Sequence, residues 1–338
     1  MTQPTSPLRV GIVGAGGIAR THAQVLTARL DAADLVAACD VSAEALERFA
    51  DDFDVPGRYL DVQDMLDGEE LDIAIICNWG VDHAKTTIQV AQSRRVRAIL
   101  CEKPFAMNTA QAEEMVAAAA NQVLLAEAFK FRHHPMHLKA KALVDQGAIG
   151  EVVSICSTLM TSRGADPADR TPDSNWRFNK AKGGGSINDL GCYCLAQMRF
   201  IYGTEPVRVF AQAQMGIEVD DGASVLLVFP DDRTAQFTVG FNAWQSQGVD
   251  ISGSSGSLHL DKPWNNSDEA TSLEYRSADG TTSIGFEPLL QYTDQLQHLC
   301  DVLNTGISHR ISPQDSIQQM KALDAIARSM ATGQAVDV

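Results

Sequence analysis

Three polar side chains have the chemistry needed to move a proton to or from an alcohol oxygen. Lys103 follows the apolar run AILC at 98–101, and Asp189 and Tyr193 lie four residues apart in NDLGCYC. That spacing puts the last two on one face of a helix. A phenol, whose ordinary pKa is about 10, is a useful base near neutral pH only when a cation within about 4 to 6 Å lowers that pKa. We predict that Lys103 serves Tyr193 in this way while a hydroxyl-bearing carbon gives up a hydride, and that Asp189 orients the substrate or the lysine.

Each of these residues also has an ordinary structural explanation. Glu102 and Lys103 can form a surface ion pair at a strand end, which contributes only about 0 to 1 kcal/mol. Pro104 ends strands for steric reasons alone. Tyr193, taken singly, fits a buried core or interface tyrosine better than a catalyst. The chemical explanation therefore requires that the lysine and the tyrosine act at one position.

A glycine pattern between an apolar run and a helical pattern predicts a site for a dinucleotide. The sequence GAGGIA at 14–19 follows VGIV and has the form G-x-G-x-x-A. The first glycine permits a tight turn, the second lets the backbone approach a pyrophosphate, and the small last residue lets helix and strand pack closely. A helix that begins here directs its free N–H groups at the phosphates. A plain strand-to-helix turn is the alternative. The predicted cofactor contacts of this loop are Gly14, Gly16, Gly17, Ile18 and Ala19.

Asp40 ends the second apolar run, LVAACD, at about the separation from the glycines that is typical of a carboxylate binding an adenosine ribose. The same carboxylate repels a 2′-phosphate, and residues 41–43 contain no arginine to hold one. Arg48 is the nearest positive charge downstream. We therefore predict that Asp40 contacts the cofactor and that NAD is favoured, with NADP left open.

Hydrophobic periodicity divides the chain into two regions. Short apolar runs alternate with helical patterns along the first part, which predicts βαβ units and a parallel sheet covered on both faces. Beyond about residue 130 the runs are longer, alternate in polarity and follow one another across short turns. Helical patterns over 185–202 and 313–330 interrupt or close this second region. The predicted fold is α/β, with an N-terminal Rossmann doubly wound parallel sheet at 1–126 and a C-terminal α+β domain with an open, mostly antiparallel mixed sheet at 127–338.

The composition is that of an ordinary globular protein of 338 residues, long enough for two domains. Acidic residues outnumber basic ones 43 to 27, and the formal charge of −16 repels nucleic acid and anionic lipid surfaces. The seven cysteines include no CxxC pair, which indicates a reducing compartment. The sequence has no signal-peptide pattern and no apolar segment of the roughly 20 residues that a membrane span needs. We predict a cytoplasmic protein with neither nucleic acid nor membrane as a partner.

Several motifs together resemble the Gfo/Idh/MocA oxidoreductase family, named for glucose-fructose oxidoreductase and inositol dehydrogenase. Tyr193 stands where many members have histidine, and this resembles the branch that contains glucose-fructose oxidoreductase, xylose dehydrogenases and dimeric dihydrodiol dehydrogenases. The Glu-Lys-Pro motif combined with the glycine fingerprint is a specific combination. The motifs that carry the resemblance are GIVGAGGIA, CEKPFAMN, EAFKFRHHP, NWRFNKAKGGGSINDLGCYC, and an ending with Tyr292, Gln295, His298, Pro313, Asp315 and LDAI.

The resemblance implies roles for residues that spacing alone does not assign. It puts Lys103 beside the nicotinamide and the reacting hydroxyl. The loop after the run IAIIC departs from the family's usual Thr-Pro-Asn, because it reads NWG before a retained histidine. The predicted cofactor contacts on this side are Asn78, Trp79, His83, Glu102 and Lys103.

A polar loop that precedes the glycines at 183–185 carries candidates for binding a sugar's hydroxyls. The glycines would let the backbone come close to a ligand. A solvated loop is an equally good explanation for the polar residues. The histidines of RHHPMH at 132–137 invite a metal interpretation, but a proline interrupts them and no H-E-x-x-H pattern exists, so we predict no metal site. The predicted substrate contacts are Arg163, Trp176, Arg177, Asp189 and Tyr193.

Together the residues and the resemblance predict an NAD(P)-dependent oxidoreductase. It would transfer a hydride between nicotinamide and a secondary alcohol or carbonyl of a sugar, sugar derivative or polyol. An NAD-dependent glycoside hydrolase with a transient redox step and a non-catalytic nucleotide or sugar sensor are the alternatives. The resemblance further implies that region 1–126 binds the dinucleotide, and that region 127–338 binds substrate and forms a homodimer or homotetramer through its sheet.

Overall fold

The computed structural model describes residues 6–120, 122–266 and 269–338, which fall into two compact units. The first unit runs to Lys130 and includes Leu290–Ile317. The second consists of Phe131–Leu289 and Gln318–Val338. The chain therefore returns to the first unit late in the sequence. The boundaries predicted for the two functional domains, 1–126 and 127–338, stay a prediction.

The first unit is built on a parallel sheet, as the alternating pattern predicts. Its strands lie in the order β3-β2-β1-β4-β5-β6, and every neighbouring pair is parallel. The short strand β3 was not among the predicted runs. The strands are β1 (Leu8–Val13), β2 (Ala33–Cys39), β3 (Gly57–Tyr59), β4 (Ile73–Ile76), β5 (Ala98–Glu102) and β6 (Leu124–Ala128).

Helices cover this sheet and fix the ends of its strands. Helices α1 to α5 alternate with the strands of the first unit, and α8 also belongs to that unit. Polar side chains cap several of them: Ser42 caps α2, Asp61 caps α3 and Asn108 caps α5, each by accepting a backbone N–H. The helices are α1 (Gly17–Ala28), α2 (Ala43–Asp52), α3 (Val62–Gly68), α4 (His83–Ser93), α5 (Thr109–Ala119), α6 (Pro135–Asp145), α7 (Cys192–Tyr202), α8 (Tyr292–Thr305) and α9 (Pro313–Thr332).

The core of the first unit explains why its strands contain so few polar residues. Strands β4 and β5 are buried at every position, as expected where helices cover both faces of a parallel sheet. Ala19 and Ala23 of α1 are buried in one hydrophobic cluster with Ile12 and Ile75 of the sheet. The small alanine side chains let the helix lie close to the strand that leads into it.

The second unit contains a nine-stranded mixed sheet with the strand order β14-β13-β12-β11-β7-β10-β9-β8-β15 once the strands are numbered along the chain. Only β7 and β10 pair in parallel among these described strands, so the sheet is mostly antiparallel, as predicted. The hairpin of β13 and β14 was not among the predicted strands. The strands are β7 (Val152–Met160), β8 (Arg208–Met215), β9 (Asp220–Val228), β10 (Thr234–Gly240), β11 (Ser246–Gly253), β12 (Gly256–Asp261), β13 (Thr271–Ser277), β14 (Gly280–Phe286) and β15 (Val336–Asp337).

The two faces of this sheet differ. On one face Ile155 and Leu159 of β7 and Phe237 of β10 are buried, and α7 packs against both strands. On the other face Cys156 of β7 is half-buried and Gln236 of β10 is exposed. Alternation of this kind is typical of an antiparallel sheet with one covered face. None of the helices among the described residues has the length and apolarity required to cross a membrane.

Candidate active site

The glycine loop after β1 has the geometry of an anion site at a helix N-terminus. Gly14 has φ +99°, and a Cβ there would lie 2.7 Å from the backbone of Cys77, so only glycine fits. By contrast, a Cβ on Gly16 or Gly17 would meet nothing within 4 Å. Gly16 is the N-cap residue of α1 and has no side chain to cap the helix, which leaves the first N–H groups of the helix available. The loop therefore fits the pyrophosphate of a dinucleotide.

Asp40 is tied directly to this loop. Its Oδ2 accepts the backbone N–H of Ala15 at 2.7 Å, and its Oδ1 accepts the N–H of Ser42 at 2.8 Å. Each oxygen keeps a second lone pair that can accept a ribose hydroxyl. Arg48, the nearest arginine downstream, pairs with Glu44 on the exposed face of α2 at 3.5 Å. Arg48 is thus occupied by Glu44, and the predicted preference for NAD stays a prediction.

Replacing Asp40 by serine tests that preference. We expect kcat/KM with NAD, divided by kcat/KM with NADP, to fall by about tenfold or more, because the variant no longer repels a 2′-phosphate. Initial rates with both dinucleotides give the ratio. Asp34→Ser removes an exposed carboxylate from the same strand and serves as the control. An unchanged ratio in Asp40→Ser would assign the discrimination to other residues.

The loop after β4 is connected to the segment that follows β5. His83 Nδ1 lies 2.8 Å from the carbonyl oxygen of Pro104, and its Nε2 lies 3.2 Å from that of Asn78. Burial lowers the pKa of His83, so its ring is neutral and donates through one nitrogen. Asn78 donates to Thr86 Oγ1 at 2.7 Å. The contacts of His83 and Asn78 are thus structural, and their predicted contact with the cofactor stays a prediction.

Trp79 lies in the same loop and is 44% exposed. A partly exposed indole beside the loop suits either packing or stacking on a ring, and the sequence left both open.

The neighbouring cysteines take no part in chemistry of their own, because burial raises the pKa of Cys77 and of Cys101 well above the ordinary thiol value. Cys77 directly follows the buried strand β4, and Cys101 lies within the buried strand β5.

Glu102 and Lys103 lie at the end of β5, on the carboxyl edge of the parallel sheet where the glycine loop also lies. The Glu102 side chain is 3% exposed, so the surface ion pair offered as an alternative does not describe it. One carboxylate oxygen lies 2.8 Å from His22 Nε2, and the other accepts the backbone N–H of Lys103 at 3.2 Å. The peptide bond between Lys103 and Pro104 is cis.

In the second unit, the predicted substrate residues lie together. Arg177 Nε donates to Asp189 Oδ2 at 2.8 Å, and both side chains are largely buried. The Arg177 guanidinium lies 4.6 Å from the centre of the Trp176 ring. The pKa of Arg163 is lowered by burial of its own guanidinium and by the positive charge of Arg177. Asp189 and Tyr193 oppose that effect. Arg163 therefore lies within electrostatic range of the carboxylate and the phenol.

A buried carboxylate fixes the segment that carries Asp189. Asp220, at the start of β9, accepts the hydroxyl of Ser186 at 2.6 Å and the N–H of Ile187 at 2.8 Å. Burial raises the pKa of Asp220, and these two hydrogen bonds oppose the rise. Ile187–Gly191 forms a π-helical turn that continues into α7. Such turns occur frequently at functional sites.

Two of the glycines at 183–185 are required by packing within the protein, and the predicted approach of this backbone to a ligand stays a prediction. A Cβ on Gly184 would lie 2.5 Å from the carbonyl oxygen of Arg177, and one on Gly185 would lie 2.5 Å from Asp220 Oδ1. Gly185 also has φ +113°. These glycines therefore allow close packing of the protein on itself, which holds Arg177 and the π-helical turn in place.

Tyr193 lies one turn along from Asp189, as the four-residue spacing predicts, and its side chain is only 7% exposed. Its ring centre lies 6.3 Å from that of Phe131 and 6.0 Å from that of Trp264. This aromatic packing matches the structural explanation for the ring, and the catalytic role of the hydroxyl stays a prediction. Lys103 and Tyr193 belong to different compact units, and their action at one position stays a prediction.

The histidines of RHHPMH have structural contacts. His134 Nδ1 accepts the N–H of Met136 at the start of α6, and His137 Nε2 lies 3.0 Å from the carbonyl oxygen of Pro263. Burial lowers the pKa of His137 to about 3. Across the described ranges, no group of three or more His, Cys, Asp and Glu side chains is arranged to hold a metal ion.

His22 is the site residue that the sequence did not reveal. It lies on α1, three residues beyond the glycine loop, and is completely buried against Glu102. The signal was a histidine in the first turns of a helix whose other inward positions are alanine and aliphatic. A buried histidine of this kind needs a polar partner, but the sequence does not say where in the chain that partner is.

Two family models match this chain. Residues 8–128 match the model described as an oxidoreductase family with an NAD-binding Rossmann fold, and residues 137–259 match the GFO/IDH/MocA C-terminal domain. The combination of a dinucleotide-type glycine loop with this second domain defines an oxidoreductase class. The chain belongs to the GFO/IDH/MocA oxidoreductase family, as the motifs predicted.

Individual relatives are similar over most of their length. D-xylose 1-dehydrogenase (NADP(+)) 2 of Haloferax volcanii is 29% identical, with 97% of this chain and 99% of that protein covered. Trans-1,2-dihydrobenzene-1,2-diol dehydrogenase of Mus musculus is 30% identical, with 76% and 75% covered. The crystal structure of aldose-aldose oxidoreductase from Caulobacter crescentus, complexed with glycerol, superimposes with a TM-score of 0.86 at 25% identity, covering 98% of this chain and all of the other.

Proposed function

We propose that the protein is an NAD(P)-dependent dehydrogenase or reductase that acts on a secondary alcohol or carbonyl of a sugar, sugar derivative or polyol. One observation carries the proposal: the open glycine loop with its anchored Asp40 and the segment bearing Lys103 lie on the same carboxyl edge of one parallel sheet. Ligands of open α/β sheets bind at that edge. The full-length similarity to a xylose dehydrogenase supports a sugar as the substrate class.

The residues of the first unit would hold the cofactor. The N–H groups at the start of α1 receive the pyrophosphate, and Asp40 receives the ribose hydroxyls. When bound, the nicotinamide supplies the acceptor or donor of the hydride. The nicotinamide half of the dinucleotide would be contacted by the remaining predicted residues, which are Asn78, Trp79, His83, Glu102 and Lys103.

The proton is handled by this chain's own groups. In the direction of alcohol oxidation, the Tyr193 phenolate accepts the hydroxyl proton and becomes a neutral phenol. Lys103 stabilises the phenolate before this transfer, and it stabilises the negative charge that develops on the substrate oxygen as the proton leaves. Asp189, whose Oδ2 accepts a hydrogen bond from Arg177 Nε at 2.8 Å, orients the substrate. Arg163 and Trp176 supply further contacts to its hydroxyls. In the direction of reduction the same groups deliver the proton.

A substrate screen tests the proposal. Purified protein is mixed with NAD or NADP and a panel of aldoses, polyols, inositols and ketosugars, and the absorbance of the reduced nicotinamide is followed. We expect at least one compound to give stoichiometric reduction. Release of free sugar from a glycoside without net reduction would indicate a hydrolase instead, and sugar binding without any turnover would indicate a sensor.

We further propose that the protein is a cytoplasmic homodimer or homotetramer. The seven cysteines carry free thiols, which supports a reducing compartment. The half of the second sheet around β8 and β9 supports self-association, because Phe210 and Leu226 are paired across these strands and each is 41% exposed. The expected mass by light scattering is a multiple of the chain mass, and Phe210→Glu should reduce it. A monomer at all concentrations would contradict this proposal.

A further inference from the structure

His22 and Glu102 form a buried pair beneath the end of β5. The His22 ring is completely buried and the Glu102 side chain nearly so. Nε2 of the histidine lies 2.8 Å from Oε1 of the carboxylate. The two residues come from α1 and β5, so the pair joins the helix that follows the glycine loop to the strand that leads to Lys103.

The hydrogen-bond pattern assigns the protons of this pair. Both carboxylate oxygens of Glu102 face donors, because Oε2 accepts the backbone N–H of Lys103 at 3.2 Å. An ionised carboxylate can satisfy both donors, so Nε2 of His22 carries a proton. Nδ1 of His22 is buried and has no hydrogen-bond partner in the described part of the chain. A proton on that nitrogen would lack an acceptor, so the contacts favour the tautomer that carries its proton on Nε2.

Neighbouring aromatic contacts hold the histidine ring in this orientation. The rings of Tyr292 and His22 pack in a T-shaped arrangement with ring centres 4.9 Å apart. The ammonium of Lys130 in turn lies 5.3 Å from the centre of the Tyr292 ring. Helix α8 thus contributes Tyr292 to the same arrangement. The imidazole has little freedom to rotate away from Glu102.

The pair of His22 and Glu102 affects the orientation of the Lys103 backbone. Because Oε2 of Glu102 binds the N–H of Lys103, the direction of the carboxylate sets the orientation of the peptide group that carries the lysine side chain. Without His22, the buried carboxylate would lose its hydrogen-bond partner on Oε1 and would turn toward another donor. That rotation alters the hydrogen bond between Glu102 Oε2 and the Lys103 backbone. A displacement of the lysine by about 1 Å is enough to reduce turnover markedly.

We propose that His22 is a positioning residue for Lys103, acting through Glu102. The proposal rests on the proposed role of Lys103 in turnover. It goes beyond that role by assigning the orientation of the lysine to a histidine on α1.

Two substitutions of His22 test the proposal. His22→Leu removes the donor and keeps the site apolar, and we expect kcat to fall about 10- to 100-fold while KM for the dinucleotide changes little. His22→Gln can place an amide N–H where Nε2 lies, and we expect it to restore most of kcat. Gln24→Leu puts the same leucine at an exposed position of α1 and serves as the control.

A second measurement needs neither cofactor nor substrate. Hydrogen exchange of a peptide covering 99–107 should be faster in His22→Leu than in the native protein and close to native in His22→Gln. A peptide covering β1 provides the internal reference for any general loss of stability. Selective acceleration at 99–107 supports the proposal, and equal acceleration in both peptides would overturn it.

The outcomes separate this inference from the proposed function. If Lys103→Met abolishes turnover but His22→Leu retains native kcat and native exchange at 99–107, His22 is not a positioning residue and the role of Lys103 stands. If Lys103→Met retains turnover, the proposed role of Lys103 fails. Selectively faster hydrogen exchange at 99–107 in His22→Leu would then still show that His22 orders this segment. Because Lys103 would not be catalytic, the inference that His22 positions a catalytic lysine would be overturned.

Discussion

Lys103→Met is expected to lower kcat by about 10³- to 10⁴-fold, because it removes the charge that stabilises both the phenolate and the developing substrate oxyanion. Methionine keeps an unbranched side chain of similar length, so the fold around the end of β5 should be retained. Glu102 and its contact with His22 are not altered by the change. Steady-state rates measured with the substrate identified by the screen give kcat.

The control separates loss of charge at this position from loss of charge in general. Lys85 is exposed on α4, and Lys85→Met should leave kcat unchanged. Binding of the reduced dinucleotide to Lys103→Met, followed by its fluorescence, should be within a few-fold of native, since the glycine loop and Asp40 hold most of the cofactor. Near-native kcat in Lys103→Met would remove the lysine from the mechanism.

The architecture of this protein was largely predictable because it repeats local patterns. The glycine loop and the apolar runs around it specify a helix beginning at Gly17, and the structure begins α1 at that residue. Strand β3 is only three residues long, too short to produce a pattern of its own. Helix α8 has a helical spacing of apolar residues, but nothing local reveals that 290–317 belongs with the first unit. That grouping depends on long-range packing.

Some features of the candidate site could be predicted from local sequence, and others depend on long-range packing. The separation between Asp40 and the glycines is a property of the βαβ unit, so a carboxylate beside the loop could be predicted, and its bond to Ala15 follows. The pair of His22 and Glu102 joins residues 80 positions apart and has no signature in either segment. The glycines at 183–185 were recognisable as a place of close approach. Their partners, Arg177 and Asp220, were visible only in the fold.

Tyr193→Phe is expected to lower kcat by about 10²- to 10⁴-fold while leaving the structure intact. The tyrosine ring packs among aromatic side chains, including Phe131 and Trp264, and phenylalanine preserves that packing. Only the hydroxyl is removed. Tyr202→Phe is a matched control on the same helix, because its hydroxyl donates to the carbonyl oxygen of Thr234 at 2.7 Å and lies outside the proposed mechanism. The control should retain native kcat.

The pH dependence distinguishes a base from a residue that merely packs. If Tyr193 accepts the proton during alcohol oxidation, kcat of the native enzyme rises with pH as the phenol ionises, since only the phenolate can act as a base. In Tyr193→Phe that ascending limb should vanish, whereas Tyr202→Phe should retain it. A purely structural role for Tyr193 predicts the opposite result, a lower kcat with the limb unchanged. An ascending limb that persists in Tyr193→Phe and disappears in Lys103→Met would make the lysine itself the base.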